Sequence, residues 1–205
     1  DATGEWQLQQ RLGAVDNVNQ AIGHTSMIFD IAVVDGDTIV TGSWDRTAIV
    51  WHRGAAGECR LQERLGAVDN QDQAAGHTDV ISAVAVVDAD TIVTGSRDRT
   101  AIIWHKDDAT GEWQLQQRLG AVDNVNQAIG HISGINTFTV VDGDTIVTGS
   151  EDRTAIVWHK DAEGVWQFQQ RLGAVRNQNP SAGHTAPIFA VAVVDGDTIV
   201  TGSDD

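Results

Sequence analysis

Asp35-Gly36-Asp37-Thr38-Ile39-Val40-Thr41-Gly42-Ser43-Trp44-Asp45-Arg46-Thr47-Ala48-Ile49-Val50-Trp51-His52 is the stretch that decides the fold. Asp35-Gly36-Asp37 is turn chemistry, because glycine tolerates positive φ and aspartate bonds its local backbone. Thr38 to Ser43 is a β-rich run, Trp44-Asp45-Arg46 a tight corner, and Thr47 to His52 a second run in which Ile49 and Trp51 alternate against Val50. Two short antiparallel strands joined at a corner follow. Upstream, Ile28 to Val34 is short, β-branched and mostly uncharged, as expected of a strand buried on both faces. Downstream, beyond a polar turn, the counterpart of residues 59–65 reads Trp-Gln-Leu-Gln-Gln-Arg-Leu at Trp113 to Leu119. There Trp113, Leu115 and, after one slip, Leu119 face inward, while Gln114 and Gln116 meet water. One unit is therefore four strands, a to d in chain order.

The unit repeats. Gly-His stands at Gly23-His24, Gly76-His77, Gly130-His131 and Gly183-His184, at intervals of 53, 54 and 53 residues. Thr-Gly-Ser begins 17 residues after each histidine, at Thr41, Thr94, Thr148 and Thr201, and an aspartate follows at Asp45, Asp98, Asp152 and Asp205. Three units reach Trp-His, at Trp51, Trp104 and Trp158. Residues 1–24 and 108–131 are identical, which fits recent duplication or deliberate design equally. On this register residues 1–22 hold strand d of a split unit, and repeats span 23–75, 76–129 and 130–182, with an incomplete fourth at 183–205. Together they form one domain or part of one. The polar stretch before each Gly-His, such as Gly120 to Ile129, reads as an ordered surface loop, and no helix of useful length is predicted. The expected fold class is all-β, a propeller of four-stranded antiparallel blades.

The 205 residues carry 13 basic and 29 acidic side chains, a net charge of −16. Such a surface repels phosphate and anionic lipid, which argues against nucleic acid as a partner. No uncharged run approaches the ~20 residues needed to cross a bilayer, so membrane insertion is not expected. One cysteine, Cys59, excludes an intrachain disulfide framework and leaves the compartment open between cytoplasm and exterior.

These landmarks resemble the WD40 repeat family: Gly-His, then apolar Ile28, Ile31 and Val33, then Thr41-Gly42-Ser43-Trp44-Asp45, then Ala48-Ile49-Val50-Trp51. Trp-His replaces the usual Trp-Asp, and the units run about a dozen residues longer than the ~40–45 of the family. The resemblance implies a hydrogen-bonded tetrad inside each blade: His24, Thr41, Asp45 and Trp51; His77, Thr94, Asp98 and Trp104; His131, Thr148, Asp152 and Trp158. The fourth set, His184, Thr201 and Asp205, lacks its tryptophan. Gly-Asp-Thr-Ile-Val-Thr-Gly followed by Gly-Glu-Trp-Gln-Leu-Gln-Gln-Arg-Leu is also similar to the FG-GAP-like propellers of secreted adhesion and carbohydrate-binding proteins. Those carry Asp-rich calcium loops, and no Asp-x-Asp-Gly-x-x-Asp loop is present here.

Residues repeated once per blade point into separate blades and do not converge on one centre. The four Gly-His histidines therefore read as structural rather than metal-ligating, and no cofactor is expected. His52, His105 and His159 read as surface residues at the end of strand c. Ser43, Ser96, Ser150 and Ser203 sit in no Gly-x-Ser-x-Gly elbow, so no enzyme is expected. Cys59 fills the slot of Trp113 and Trp166 and reads as a small apolar substitute.

The informative contrast lies between copies. The corner residue before the tetrad aspartate changes from Trp44 to Arg97, Glu151 and Asp204. The segment after Gly-His changes in step, and it includes Met27 and Asp79. In WD40 proteins these d–a loops and b–c corners share one mouth of the propeller, where peptides are held. Trp44, Arg97, Glu151, Asp204, Met27 and Asp79 are thus the candidate surface for a protein or peptide partner. Alternatively, the chain is an amplified or designed repeat without ligand. Three and a half blades do not close a ring, so either a longer polypeptide or two copies joined head to tail in a ring of about eight blades is expected.

Overall fold

The computed structural model describes residues 8, 10–12, 23–68, 71–120, 129–173 and 183–205. Most of the split unit at 1–22 and the loop segment 121–128 lie outside them. Among the described residues, fourteen strands form three four-stranded antiparallel sheets and one antiparallel pair. The first sheet holds β1 (Ile28–Val33), β2 (Thr38–Ser43), β3 (Ala48–Arg53) and β4 (Cys59–Leu65). The second holds β5 (Ile81–Asp88), β6 (Thr91–Ser96), β7 (Ala101–Lys106) and β8 (Trp113–Leu119). The third holds β9 (Ile135–Asp142), β10 (Thr145–Ser150), β11 (Ala155–Lys160) and β12 (Trp166–Leu172). β13 (Ile188–Asp195) and β14 (Thr198–Ser203) pair alone among the described residues. A three-residue 3-10 turn, Gln73–Ala75, interrupts the loop before Gly76, where Asp72 accepts from the Ala74 N–H.

The slip in strand d is a bulge. Leu115 stands opposite Trp104 and Gln117 opposite Ile103, so Gln116 is the extra residue, and Leu119 returns to the buried side. The same irregularity recurs between β3 and β4 and between β11 and β12.

Sheets pack face to face like the blades of a propeller, with the cores between them. Val40 and Val50 of the first sheet meet Ile81, Val84, Ile92 and Ile102 of the second. Val93, Ala101, Ile103 and Leu119 meet Ile135, Ile146 and Ile156 of the third. Val147, Ala155 and Val157 meet Ile188 of the last pair. Side chains of strand d also clamp the next blade. Gln117 exchanges two hydrogen bonds with the Trp166 backbone, Gln10 does the same with Cys59, and Glu63 accepts from the Trp113 N–H.

The glycine of Thr-Gly-Ser permits the close approach of blades. A Cβ on Gly42 would lie 2.7 Å from the Ile81 side chain, on Gly95 2.6 Å from Phe138, and on Gly149 2.8 Å from Ile188. The expectation that strand a is buried on both faces fails at the ends of the arc. Ile31 of β1 is 59% exposed, whereas its counterpart Val84 is 6% exposed. Ala190, Ala192 and Val194 of β13 are also exposed. Burial on the second face comes from a neighbouring blade, and no described blade lies beyond β1 or β13.

Candidate functional site

Each complete blade contains the same polar network. In the first, His24 Nδ1 lies 3.0 Å from Asp45 Oδ2 and Nε2 lies 2.8 Å from Thr41 Oγ1, which accepts from the Trp51 indole N–H at 2.9 Å. The distances are 2.9, 2.9 and 2.8 Å around His77 and 3.0, 2.8 and 3.1 Å around His131. One proton arrangement satisfies every group: the indole donates to threonine, threonine to Nε2, and Nδ1–H to the carboxylate. In the last blade His184 reaches Asp205 at 2.9 Å and Thr201 at 2.8 Å.

Two further residues in each of the three complete blades finish the network, and sequence reasoning missed both. Thr47, Thr100 and Thr154 each donate to the corner aspartate at 2.6 Å. Arg64, Arg118 and Arg171 donate to those hydroxyls and to the carbonyls of Gly23, Gly76 and Gly130. The signal was present, since Arg-Leu-Gly recurs at Arg64, Arg118 and Arg171 on the same period. The arginine ties the end of strand d to the Gly-His turn.

Burial pushes the carboxyls of Asp45, Asp98 and Asp152 up, but the paired histidine, the threonine hydroxyl and the backbone N–H that follows the histidine together hold all three below the ordinary carboxylate range. Asp152 settles at about 2. Asp205 is likewise lowered, through the Thr185 backbone and His184. These aspartates are ionised acceptors, committed to their own blade. His52, His105 and His159 stand near Thr38, Thr91 and Thr145 across the sheet at 3.3, 3.5 and 3.2 Å. Cys59 is half-buried at the start of β4. Among the described residues no group of three or more His, Cys, Asp or Glu side chains is placed to hold a metal ion.

In three blades the divergent corner is bonded to the divergent segment after Gly-His. The corner N–H of Trp44 donates to the Met27 carbonyl, that of Arg97 to Val80 and that of Glu151 to Gly134, at 2.8 to 3.0 Å. The segment after Gly-His and the b–c corner are thereby held side by side in these three blades. Trp44 is 46% exposed and packs a tilted ring against exposed Phe29, with centroids 5.9 Å apart and exposed Met27 adjoining through the backbone. Arg97 is exposed, and its backbone and stem pass close to Gly134 of the next blade. Ser133 donates to Glu151, Asp79 accepts from the Val80 N–H, and Asp204 is exposed. Phe29 was not singled out from sequence, because strand residues at its position read as core.

A model of the WD domain, G-beta repeat family matches residues 17–52, 71–105 and 124–159, just over half of the chain. Among curated proteins the chain is similar to the ribosome biogenesis protein WDR12 homologs of Drosophila virilis and Drosophila persimilis. Identity is 33% over 48% of this chain and 25% of the first, and 28% over 82% of this chain and 37% of the second. It is also similar to WD repeat-containing protein 37 of Mus musculus, at 29% identity over 62% of this chain and 21% of that protein. The chain thus spans between about a fifth and two fifths of these relatives. Two solved structures, U3-55K and the RRP9 WD40 repeats, superpose with a TM-score of 0.65 at 18% identity, covering 88% of this chain and 47% and 46% of theirs. With its repeats matched, its blades formed and its neighbours propellers, the chain belongs to the WD40 repeat family of β-propellers.

Proposed function

We propose that this chain is a non-enzymatic scaffold that holds a protein or peptide partner on the rim built from Met27, Trp44, Asp79, Arg97, Glu151 and Asp204. The carrying observation is the division of labour between copies. The polar network is the same in every complete blade, while in three blades the segment that differs after Gly-His is paired by a backbone hydrogen bond to the corner that differs. In this reading the tetrads are internal struts, because unpaired buried groups of this kind cost roughly 1–3 kcal/mol each and a closed network removes that cost. Trp44 backed by Phe29 supplies a rigid aromatic anchor, and Arg97 with the acidic corners supplies polar selectivity. Relatives named for ribosome biogenesis support protein partners for the fold.

The test is capture of partners by the immobilised chain and by a Trp44→Ala, Arg97→Ala double variant, with melting temperatures measured in parallel. Loss of the captured proteins at unchanged melting temperature is expected. Identical capture by both chains contradicts the proposal.

A further inference from the structure

The junction of the second and third sheets joins two complete blades. The end of β2 meets the start of β5 at Ile81, and the end of β6 meets the start of β9 at Ile135. On the rim above the second of these contacts the Arg97 stem lies against Gly134, where a Cβ would stand 3.2 Å from the Arg97 Cα and 3.4 Å from its Cγ. Trp44, the 78–80 segment, Arg97, the 132–134 segment and Glu151 therefore succeed one another. Met27, Val80 and Pro187 fill the position of Gly134 in the other blades, so the blade that follows the arginine corner is the one that gives up its side chain to seat it. The seated guanidinium has no partner. Exposed Arg53 and Arg60, on β3 and β4, pair with Asp37 and Glu58 at 2.8 and 2.7 Å. Neither Arg97 nor the exposed Arg99 forms a side-chain hydrogen bond or ion pair among the described residues, although the chain holds 29 acidic against 13 basic side chains. Asp79 and Glu151 flank Arg97 along the rim, and they accept instead from the Val80 N–H and the Ser133 hydroxyl.

We propose that Arg97 is the receptor for a single carboxylate of the partner, an inference that rests on reading the rim as a partner surface. The partner is then an extended peptide segment in which one Asp or Glu stands near an aromatic or aliphatic side chain. The apolar group packs on Trp44, and the carboxylate reaches the guanidinium one blade on. An arginine fork takes a carboxylate through two parallel N–H donors, and a stem already laid on main chain has less freedom to lose on binding. Selectivity comes from the flanks. Asp79 and Glu151 repel any further acid, so one carboxylate is admitted between them and an acidic run is rejected. The net charge of −16 works in the same direction, because it opposes the approach of a strongly acidic peptide and leaves recognition to the local geometry.

Selection of a random peptide library against the 205-residue chain tests this, with the recovered peptides measured singly by fluorescence anisotropy on the parent, Arg97→Glu and Trp44→Ala chains. Non-specific attraction to so acidic a chain enriches basic peptides, so recovery of peptides with one Asp or Glu beside an apolar residue reports a built site. Changing that acid to its amide, or Arg97 to glutamate, is expected to weaken binding roughly tenfold or more. The Trp44→Ala chain is expected to bind the same peptides more weakly, and selection against Arg97→Glu should recover Lys or Arg in place of the acid. Peptides that need Trp44 but neither their acid nor Arg97 would overturn this inference and leave the rim reading standing. Peptides indifferent to both variants would overturn the two together. Recovery of no saturable binder, or of binders that keep their affinity on the Trp44→Ala chain, would also overturn the inference.

Discussion

At the scale of single residues, the network aspartates are acids held ionised in a dry place. Their folded-state pKa lies below the unfolded value, so the unfolded chain binds more protons at acid pH. The stability they contribute is therefore fully present above about pH 4 and is lost as the pH falls toward 2, about 2 kcal/mol for Asp152 alone. Melting temperatures recorded from pH 5 to pH 2 should fall steeply below pH 4, and Asp152→Asn should flatten that fall. An equally steep fall in the variant would show that other groups cause it. The tetrads were implied by the resemblance to the WD40 repeat, while spacing alone gave only the recurrence of His, Thr, Asp and Trp in register. The arginines were not legible, since a cation on a half-exposed outer strand resembles a solvated surface residue until the fold brings it over the Gly-His turn.

At the scale of elements, strand order and the bulge of strand d were readable from alternation, because a slip in a period-two pattern moves every later side chain to the other face. Burial was less readable. The same β-branched strand a is core in β5 and half-exposed in β1 because the covering blade differs, and no residue within the strand records that. Glycine at the end of strand b gives the corresponding test. Gly95→Ala drives a Cβ into Phe138 and should cost about 1–3 kcal/mol, whereas the Cβ of Gly202→Ala meets only Ala190 at 3.4 Å and should be neutral or slightly stabilising. Thermal melts of the two variants check this, and equal losses would refute the close approach of blades.

At the scale of the whole molecule, the described residues leave two apolar faces uncovered. Ile28, Ile31 and Val33 are exposed at one end, and Val194 and Val200 at the other. Their counterparts Ile81 and Val93 are fully buried between blades. The closure of the arc was not legible in the sequence, because repeats specify their neighbours but not their number. The central claim, that repeated residues are struts and varying residues are rim, is tested most directly where the two kinds are adjacent in the chain. Thermal unfolding of Arg97→Ala and Asp98→Ala should show no change for the first, and for the second a loss of about 3 kcal/mol, or ~6–12 °C. A comparable drop for Arg97→Ala, or none for Asp98→Ala, would contradict the account.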